Sequence, residues 1–151
     1  MKKFAFSLET LYRLKKTLKD KLQAEYAAAA ATLDRACREK EQLQEHLSAE
    51  TRSYETKLKR GMAVVDILAY SLYFEEFQNR IKAASESVER AQREAARRRN
   101  EMIEGFKEVR ILEKLRDRQY EEYKVEEERA AIGEIENIFS FKVAQAEKTD
   151  W

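Results

Sequence analysis

Apolar side chains recur along this chain in alternating steps of three and four residues, which is the spacing of a heptad seam. The first series starts at Leu22 and ends at Leu58, with polar interruptions at Lys40 and Glu50. Its other members are Tyr26, Ala29, Leu33, Ala36, Leu43, Leu47 and Tyr54. This spacing predicts a long amphipathic helix whose apolar stripe packs against another helix.

A second series begins at Ile67 and keeps the same period as far as Leu112. Its other members are Tyr70, Phe74, Phe77, Ile81, Ala84, Val88, Ala91, Ala95, Arg98, Met102, Gly105 and Val109. Between the two series, Gly61 predicts a left-handed helix end and Asp66 predicts the N-cap of the next helix. The pattern therefore predicts an all-α protein, a long antiparallel two-helix coiled-coil hairpin whose second helix is longer than the first.

The predicted helices occupy one elongated coiled-coil domain over residues 1–151. The expected bounds are helix one at about 7–60, a turn at about 61–66 and helix two at about 67–146. At the start, we expect Ser7 to cap helix one and Phe6 to pack on Leu11 as a hydrophobic staple. The N-terminus is therefore expected to be anchored.

The second helix is expected to extend beyond the first. If Arg60 lies opposite Ile67, the start of helix one lies opposite about Tyr120, because both helices rise by about 1.5 Å per residue. The overhang beyond Tyr120 is expected to have no partner within the chain. It carries Val125, Ile132, Ile135, Ile138, Phe139, Phe141 and Val143. Apolar surface of this kind usually meets an external partner.

The stretch 67–77 is unusually apolar, and the seam does not account for all of it. Leu68, Leu72 and Tyr73 lie beside the seam. One interpretation is that they close the end of the hairpin over Val64 and Val65. The other is that they form a docking face with Tyr54 of the facing helix, since aromatic residues are enriched in interface cores.

Composition agrees with long helices. The 151 residues include three Gly and no Pro, so few turns are available. Thirty Lys and Arg balance twenty-nine Asp and Glu, giving a net charge of +1 that attracts neither nucleic acid nor an anionic membrane strongly. No apolar run is long enough to span a membrane, and the apolar stretch after Lys2 and Lys3 is too short for a secretion signal. We therefore expect a cytoplasmic location.

Candidate chemistry is sparse. Glu41 and Glu45 precede His46, but a helical Glu-x-x-His ligand pair would need a carboxylate at Leu43, so we expect a solvent-facing histidine. The single cysteine, Cys37, is expected to be a small packing residue. The chain shows no catalytic triad pattern and no phosphate-binding glycine loop, so we expect no enzymatic activity, no cofactor and no metal.

A cluster of three arginines, 97–99, is the strongest local positive charge. It could contact a phosphate backbone, and a nucleic-acid binder of this kind would lose affinity steeply with salt. However, Glu94 and Glu101 lie close to it on the helix, and one of the three, Arg98, falls on the seam. A solvated, salt-bridged stretch is the favoured interpretation, and no nucleic-acid partner is expected.

Two segments resemble the flagellar FliJ family of the type III export apparatus. The first, "FAFSLETLYRLKK", supplies Phe4, Phe6, Leu8, Glu9, Leu11 and Leu14. The second, "FKEVRILEKLRDRQYEEYKVEEE", supplies Leu112, Glu113, Lys114, Leu115, Arg118, Tyr120 and Tyr123. The resemblance spans nearly the whole chain, because the Ala-rich first helix, the turn and the second helix come in the family's order.

The resemblance implies a non-enzymatic part of the flagellar export machinery. It implies a central stalk, similar to that of rotary ATPases, which sits in the flagellar export ATPase ring and promotes its assembly. It further implies contact with the cytoplasmic domain of the export gate membrane protein, escort of export chaperones, and peripheral association with the inner membrane without insertion.

The resemblance also implies two binding surfaces. The residues expected to bind the ATPase are Leu112, Leu115, Arg116, Arg118, Tyr120 and Tyr123. Those expected to bind the export gate are Tyr54, Tyr73, Phe77, Ile81 and Ala84. Phe77, Ile81 and Ala84 are also seam residues, so plain core packing remains an alternative for them. The tail after Gly133 is more apolar than the family resemblance leads us to expect.

Two further interpretations stay open at this point. The chain could be the stalk of a virulence type III secretion system. It could also be a generic structural coiled coil, for example a parallel homodimer with an unbroken helix through "RGMAVVD".

Overall fold

A computed structural model of the chain describes residues 2–149. Within that range the chain forms two helices, α1 (Glu9–Arg60) and α2 (Val64–Thr149), joined by residues 61–63. The helices pack against each other as an antiparallel hairpin, and α2 is the longer. The all-α hairpin predicted from the heptad pattern is therefore confirmed, and the interpretation of one unbroken helix is wrong.

The turn follows from the backbone of Gly61, which has a φ of 96° and ends α1 in the left-handed conformation. Its amide donates a hydrogen bond of 3.1 Å to the carbonyl of Leu58. The predicted N-cap at Asp66 is wrong, because α2 already begins at Val64 and Asp66 lies within its first turn. A carboxylate at this place still stabilises the positive end of the helix dipole.

The N-terminal segment ahead of α1 packs differently from the prediction. Phe6 lies edge-on to Tyr12, with ring centroids 6.4 Å apart. Leu11, the predicted staple partner, is 39% exposed, whereas Tyr12 is 7% exposed. Ser7 does not act as the predicted cap, because its hydroxyl is hydrogen bonded to the side chain of Gln119, at 3.1–3.3 Å. The segment is anchored, but by contacts with α2.

Burial follows the two predicted heptad series. Every series member of α2 from Ile67 to Leu112 is buried or half-buried. The same holds for α1 with the exception of Leu58, which is 45% exposed and lies next to the turn. The two seams therefore face each other, as the period predicts.

The hairpin comprises two compact units. The terminal unit combines Met1–Leu18 with Gly105–Trp151, and the turn unit is Lys19–Glu104. In the terminal unit, the core consists of Phe6, Tyr12, Val109 and Leu112, with Phe4 and Leu115 packed against it. In the turn unit, the buried apolar residues are Phe77, Val88, Ala91 and Ala95. The prediction of a single domain over 1–151 extends beyond the described residues and stays a prediction.

Candidate protein-binding surfaces

The six residues expected to bind the ATPase all lie in the terminal unit, but they differ in exposure. Leu112 is only 8% exposed and Leu115 packs against the same core. Arg116 and Arg118 are exposed, Tyr120 is 41% exposed, and Tyr123 is half-buried. Leu112 and Leu115 are thus held by contacts inside the unit, and the other four line its surface.

Cations surround the buried ring of Tyr12. The Arg116 guanidinium lies 5.7 Å and the Lys16 ammonium 5.3 Å from the ring centroid. The Tyr12 hydroxyl donates a hydrogen bond of 3.2 Å to Glu113. Lys15 adds an ion pair with Glu108 across the two helices, at 2.7 Å. These contacts fix the start of α1 against α2. Arg116 nevertheless remains exposed to solvent.

An aromatic clasp, which we define as Phe4, Tyr120 and Tyr123, holds the N-terminal segment on α2. The Phe4 ring lies 5.2 Å from Tyr120 and 5.5 Å from Tyr123, and the two tyrosine rings stack at 6.3 Å. The Tyr123 hydroxyl donates a hydrogen bond to the carbonyl of Lys2. The overhang therefore begins after Tyr123 and not, as expected from the sequence, after Tyr120. The residues ahead of α1 are not helical, so they extend farther along α2 than the same number of helical residues would.

The residues expected to bind the export gate lie in the turn unit, around a second aromatic cluster. Tyr54 packs on Tyr70 at 5.0 Å and on Phe74 at 5.4 Å. Tyr73 packs on Phe77 at 5.7 Å. Of the expected gate residues, Tyr73 is 36% exposed, Phe77 is 5% exposed, and Tyr54, Ile81 and Ala84 are half-buried. The structure brings Tyr73 and Phe77 into contact and leaves only Tyr73 markedly exposed.

His46 belongs to this cluster, which sequence reasoning missed. Its ring lies 5.1 Å from Phe77, and its Nε2 atom lies 3.1 Å from the hydroxyl oxygen of Tyr73. The side chain is exposed as predicted, but it is not a purely solvent-facing one. Its position beside the seam residue Leu47 was the available signal, because flanking side chains can lean toward the facing helix.

Apolar side chains next to the turn remain exposed. Val64 and Val65 are 71% and 76% exposed, and Leu68 and Leu72 are 61% and 68% exposed. They recur about once per helical turn on one side of α2. They do not close the end of the hairpin, so the first of the two sequence interpretations is wrong for the leucines. We call these four residues the turn stripe.

Lys57 is fixed beside the aromatic cluster. Its ammonium donates a hydrogen bond of 2.7 Å to the Tyr70 hydroxyl and lies 5.4 Å from the ring centroid. The hydrogen bond to Tyr70 raises the pKa of Lys57. This contact ties the last turn of α1 to the first turns of α2.

The arginine cluster is salt-bridged, as the favoured interpretation predicted. Arg97 pairs with Glu94 at 2.7 Å and with Glu101 at 3.1 Å. Arg98 pairs with the same two glutamates and reaches across to Glu25 of α1 at 2.8 Å. The hydrogen bonds from Arg97 lower the pKa of Glu94, which in turn raises the pKa of Arg97. Little positive charge from these two side chains is left for a phosphate backbone.

Features of other site classes are few in the described part of the chain. Residues 2–149 contain no group of three or more His, Cys, Asp or Glu side chains that could hold a metal ion. Neither described helix has an apolar stretch long enough to cross a membrane. Cys37 is exposed, so the expectation that it packs beside the seam is wrong.

Known proteins resemble this chain along most of its length. Residues 4–131 match the family profile described as "Flagellar FliJ protein". A flagellar FliJ protein from Bacillus subtilis (strain 168) is 25% identical over 138 residues, which cover 89% of this chain and 92% of that protein. No solved structure matches the chain. Because the family match covers far more than half of its residues, the chain belongs to the flagellar FliJ family.

Proposed function

We propose that this protein is a non-enzymatic component of the flagellar type III export apparatus and acts as a stalk in the export ATPase ring. The family match over residues 4–131 is the observation that carries the proposal. In this role the protein promotes ring assembly, engages the export gate and escorts export chaperones. It associates with the inner membrane peripherally, through the apparatus.

The exposed part of the terminal unit is the proposed ATPase contact. Arg116 and Arg118 are exposed and Tyr120 is 41% exposed, so these side chains can reach a partner. Leu112 and Leu115 act indirectly, because they pack in the core that positions α1 against α2. Of the residues expected to bind the ATPase, Arg116, Arg118 and Tyr120 are therefore the proposed contact residues, and the two leucines are not.

The exposed residues near the turn are the proposed gate contact. Tyr73 is the most exposed of the five expected gate residues, and Leu68 and Leu72 lie beside it with more than half of their surface exposed. Phe77 is buried against His46 and Tyr73, so its role is to support this surface. Ile81 and Ala84 are half-buried in the seam and belong to the same support.

The ATPase contact is tested with the purified export ATPase from the same organism. Full-length protein is expected to stimulate hydrolysis and to promote ring formation. A truncation that removes the residues from Val125 onward is expected to weaken ATPase binding while the rest of the hairpin stays helical, because these residues belong to the same terminal unit as Arg116, Arg118 and Tyr120. Arg116→Glu with Arg118→Glu is expected to weaken the contact at least tenfold, since charge reversal replaces attraction by repulsion.

Arg93→Glu is the matched control, because Arg93 is an exposed arginine of α2 in the turn unit. It should leave the stimulation unchanged. Stimulation that survives the truncation would remove the tail from the contact. If full-length protein neither binds nor stimulates the ATPase, the stalk assignment fails, although the hairpin itself is unaffected.

The gate contact is tested with the cytoplasmic domain of the export gate protein. Leu68→Ala with Leu72→Ala is expected to weaken binding without lowering the thermal stability, because both side chains are largely exposed. Tyr73→Ala is expected to lower both, since Tyr73 also packs on Phe77. Gate binding that is unchanged in the double leucine variant would contradict this assignment.

A further inference from the structure

An exposed apolar stripe continues along α2 past the aromatic clasp. Val125, Ile132, Ile135 and Phe139, which we call the tail stripe, follow one another at intervals of seven, three and four residues. Their exposed fractions are 46%, 56%, 66% and 69%. The spacing is that of a coiled-coil seam, so a second helix is the natural partner of this surface.

The N-terminal segment of the same chain cannot be that partner. The half-buried residues in this part of α2 are Tyr123, Glu127, Ala131 and Gly133, and Tyr123 contacts the N-terminal segment. Ile132 follows Tyr123 by about two and a half helical turns and therefore lies on the opposite side of α2. The tail stripe thus begins on a face that none of residues 2–149 covers.

The charges bordering the tail stripe indicate which helix would fit. Val125, Ile132 and Phe139 occupy the first position of three successive heptads. The charged residues that directly precede them or follow them by four residues are Lys124, Arg129 and Glu136. In a parallel pair of identical tails, Lys124 would meet Arg129 of the second copy, and like charges would repel. In an antiparallel pair, Arg129 would face Glu136 of the second copy, and symmetry would supply this attraction twice.

A partner with a purely basic rim fits this border less well. The acidic residues Glu126, Glu127 and Glu134 lie farther round the helix, but Glu128 lies within the tail stripe, three residues after Val125 and four before Ile132. Of the four charged side chains within or beside the stripe, Lys124 and Arg129 are basic, and Glu128 and Glu136 are acidic. A partner that carries both signs in the reverse order matches the border, and an antiparallel copy of the same segment does so.

We propose that the tail stripe is an interaction surface for a second copy of this chain, paired antiparallel. Ile132 of each copy packs on Ile135 of the other, and Arg129 pairs with Glu136 on both sides. This inference goes beyond the proposed function and does not depend on it. Self-association would cover residues that the Val125 truncation removes, so it would compete with any ATPase contact made by the tail.

The test is sedimentation equilibrium of the full chain over about two orders of magnitude in concentration, reaching the high-micromolar range. A reversible monomer–dimer equilibrium is expected. Ile132→Glu with Ile135→Glu should weaken dimerisation at least tenfold, because two charges enter an apolar seam. Phe141→Glu is the matched control: Phe141 is 64% exposed but lies off the tail stripe, so this variant should dimerise normally.

Orientation is tested by charge reversal. Arg129→Glu alone and Glu136→Arg alone should each weaken dimerisation about threefold to tenfold, and the double reversal should restore it. Both residues are exposed, so helicity measured by circular dichroism should not change. A monomer at every concentration overturns the proposal. So does a dimer that tolerates both isoleucine substitutions, or a double reversal as weak as the single variants.

Discussion

The same helix carries two apolar stripes with opposite fates. Up to Leu112, the seam of α2 lies against α1, and Val109 is only 3% exposed. From Val125 onward, the stripe repeats with the same kind of spacing, yet Ile135 is 66% exposed. The comparison teaches that a heptad period indicates a helical partner but does not say whether that partner belongs to the same chain.

The largest expected effect is a difference in the free energy of unfolding between truncations in the covered seam and in the tail stripe. Leu112→Ala should lower the free energy of unfolding by about 2–3 kcal/mol, because it leaves a gap in the terminal core. Ile135→Ala, the same kind of truncation in the tail, should change it by less than about 0.5 kcal/mol. Urea denaturation followed by circular dichroism at low protein concentration measures both. Equal losses would mean that the tail stripe is covered within the monomer.

Two glycines give the next largest effect, with opposite signs. A Cβ added at Gly61 or at Gly133 would meet nothing within 4 Å, so only the backbone conformation differs. Gly61→Ala should cost about 1–2 kcal/mol in free energy of unfolding, since its φ of +96° disfavours a side chain. Gly133→Ala should raise the helicity of the tail and stabilise it by up to about 1 kcal/mol. The thermal melt of Gly61→Ala should therefore shift to lower temperature, whereas the helicity of Gly133→Ala, measured by circular dichroism, should rise. An unchanged melt in the first variant or a loss of helicity in the second would contradict this account.

A smaller effect locates the boundary between the covered and uncovered stretches. Tyr123→Phe removes the hydrogen bond to Lys2 and keeps the ring against Phe4, so it should cost about 0.5–1.5 kcal/mol locally. Hydrogen exchange of the amides in residues 3–7 should become faster. Tyr120→Phe is the control, because its hydroxyl makes no hydrogen bond within residues 2–149 and its ring contact is retained. Unchanged exchange in Tyr123→Phe would place the anchor elsewhere.

The smallest expected effect is on the pH dependence of stability, and it arises in the turn unit, where the seam residue Arg98 is part of a network of ion pairs. Hydrogen bonds from Arg97 and Arg98 lower the pKa of Glu94 below its ordinary value of 4.5. The folded state therefore binds the Glu94 proton less readily than the unfolded chain does. The resulting stabilisation is complete above the ordinary pKa and is lost as the pH falls through the lowered value. Glu94→Gln should flatten this part of the acid denaturation curve, and an unchanged curve would show that Glu94 does not contribute.

Much of the hairpin could be predicted from the sequence because period and glycine placement act locally. The seam positions of both helices and the left-handed turn at Gly61 were predicted correctly, and the family resemblance is confirmed by the match over residues 4–131. The arginine cluster was also predicted correctly, since Glu94 and Glu101 stand one turn away from Arg97 on the same helix.

The errors concern side chains whose partner is distant in sequence. Ser7 has the chemistry of a cap, but Gln119 competes for its hydroxyl. Phe6 turns to Tyr12 because the buried side of the first helical turn is set by α2 and not by local spacing. His46 was missed for the same reason, as its contacts with Tyr73 and Phe77 lie across the hairpin.

The proposed surfaces were predicted less completely than the fold. The family resemblance selected Leu112 and Phe77 together with exposed neighbours. A resemblance does not distinguish buried residues that support a binding surface from exposed residues that contact the partner protein. Their exposed fractions of only 8% and 5% identify these two as supporting residues. The tail stripe, in contrast, was visible in the sequence as apolar residues of helix two beyond the point expected to face the start of helix one.

The three-residue turn also orders the contacts along the folding pathway. Lys57 and Tyr70, next to the turn, are 13 residues apart in sequence, whereas Tyr123 and Lys2 are 121 apart. Closing a longer loop costs more entropy, so we expect pairing to start beside Gly61 and to proceed toward the clasp. The clasp is then the last contact to form and the first to open. A partner that binds at the clasp would therefore meet the part of the hairpin with the lowest opening cost.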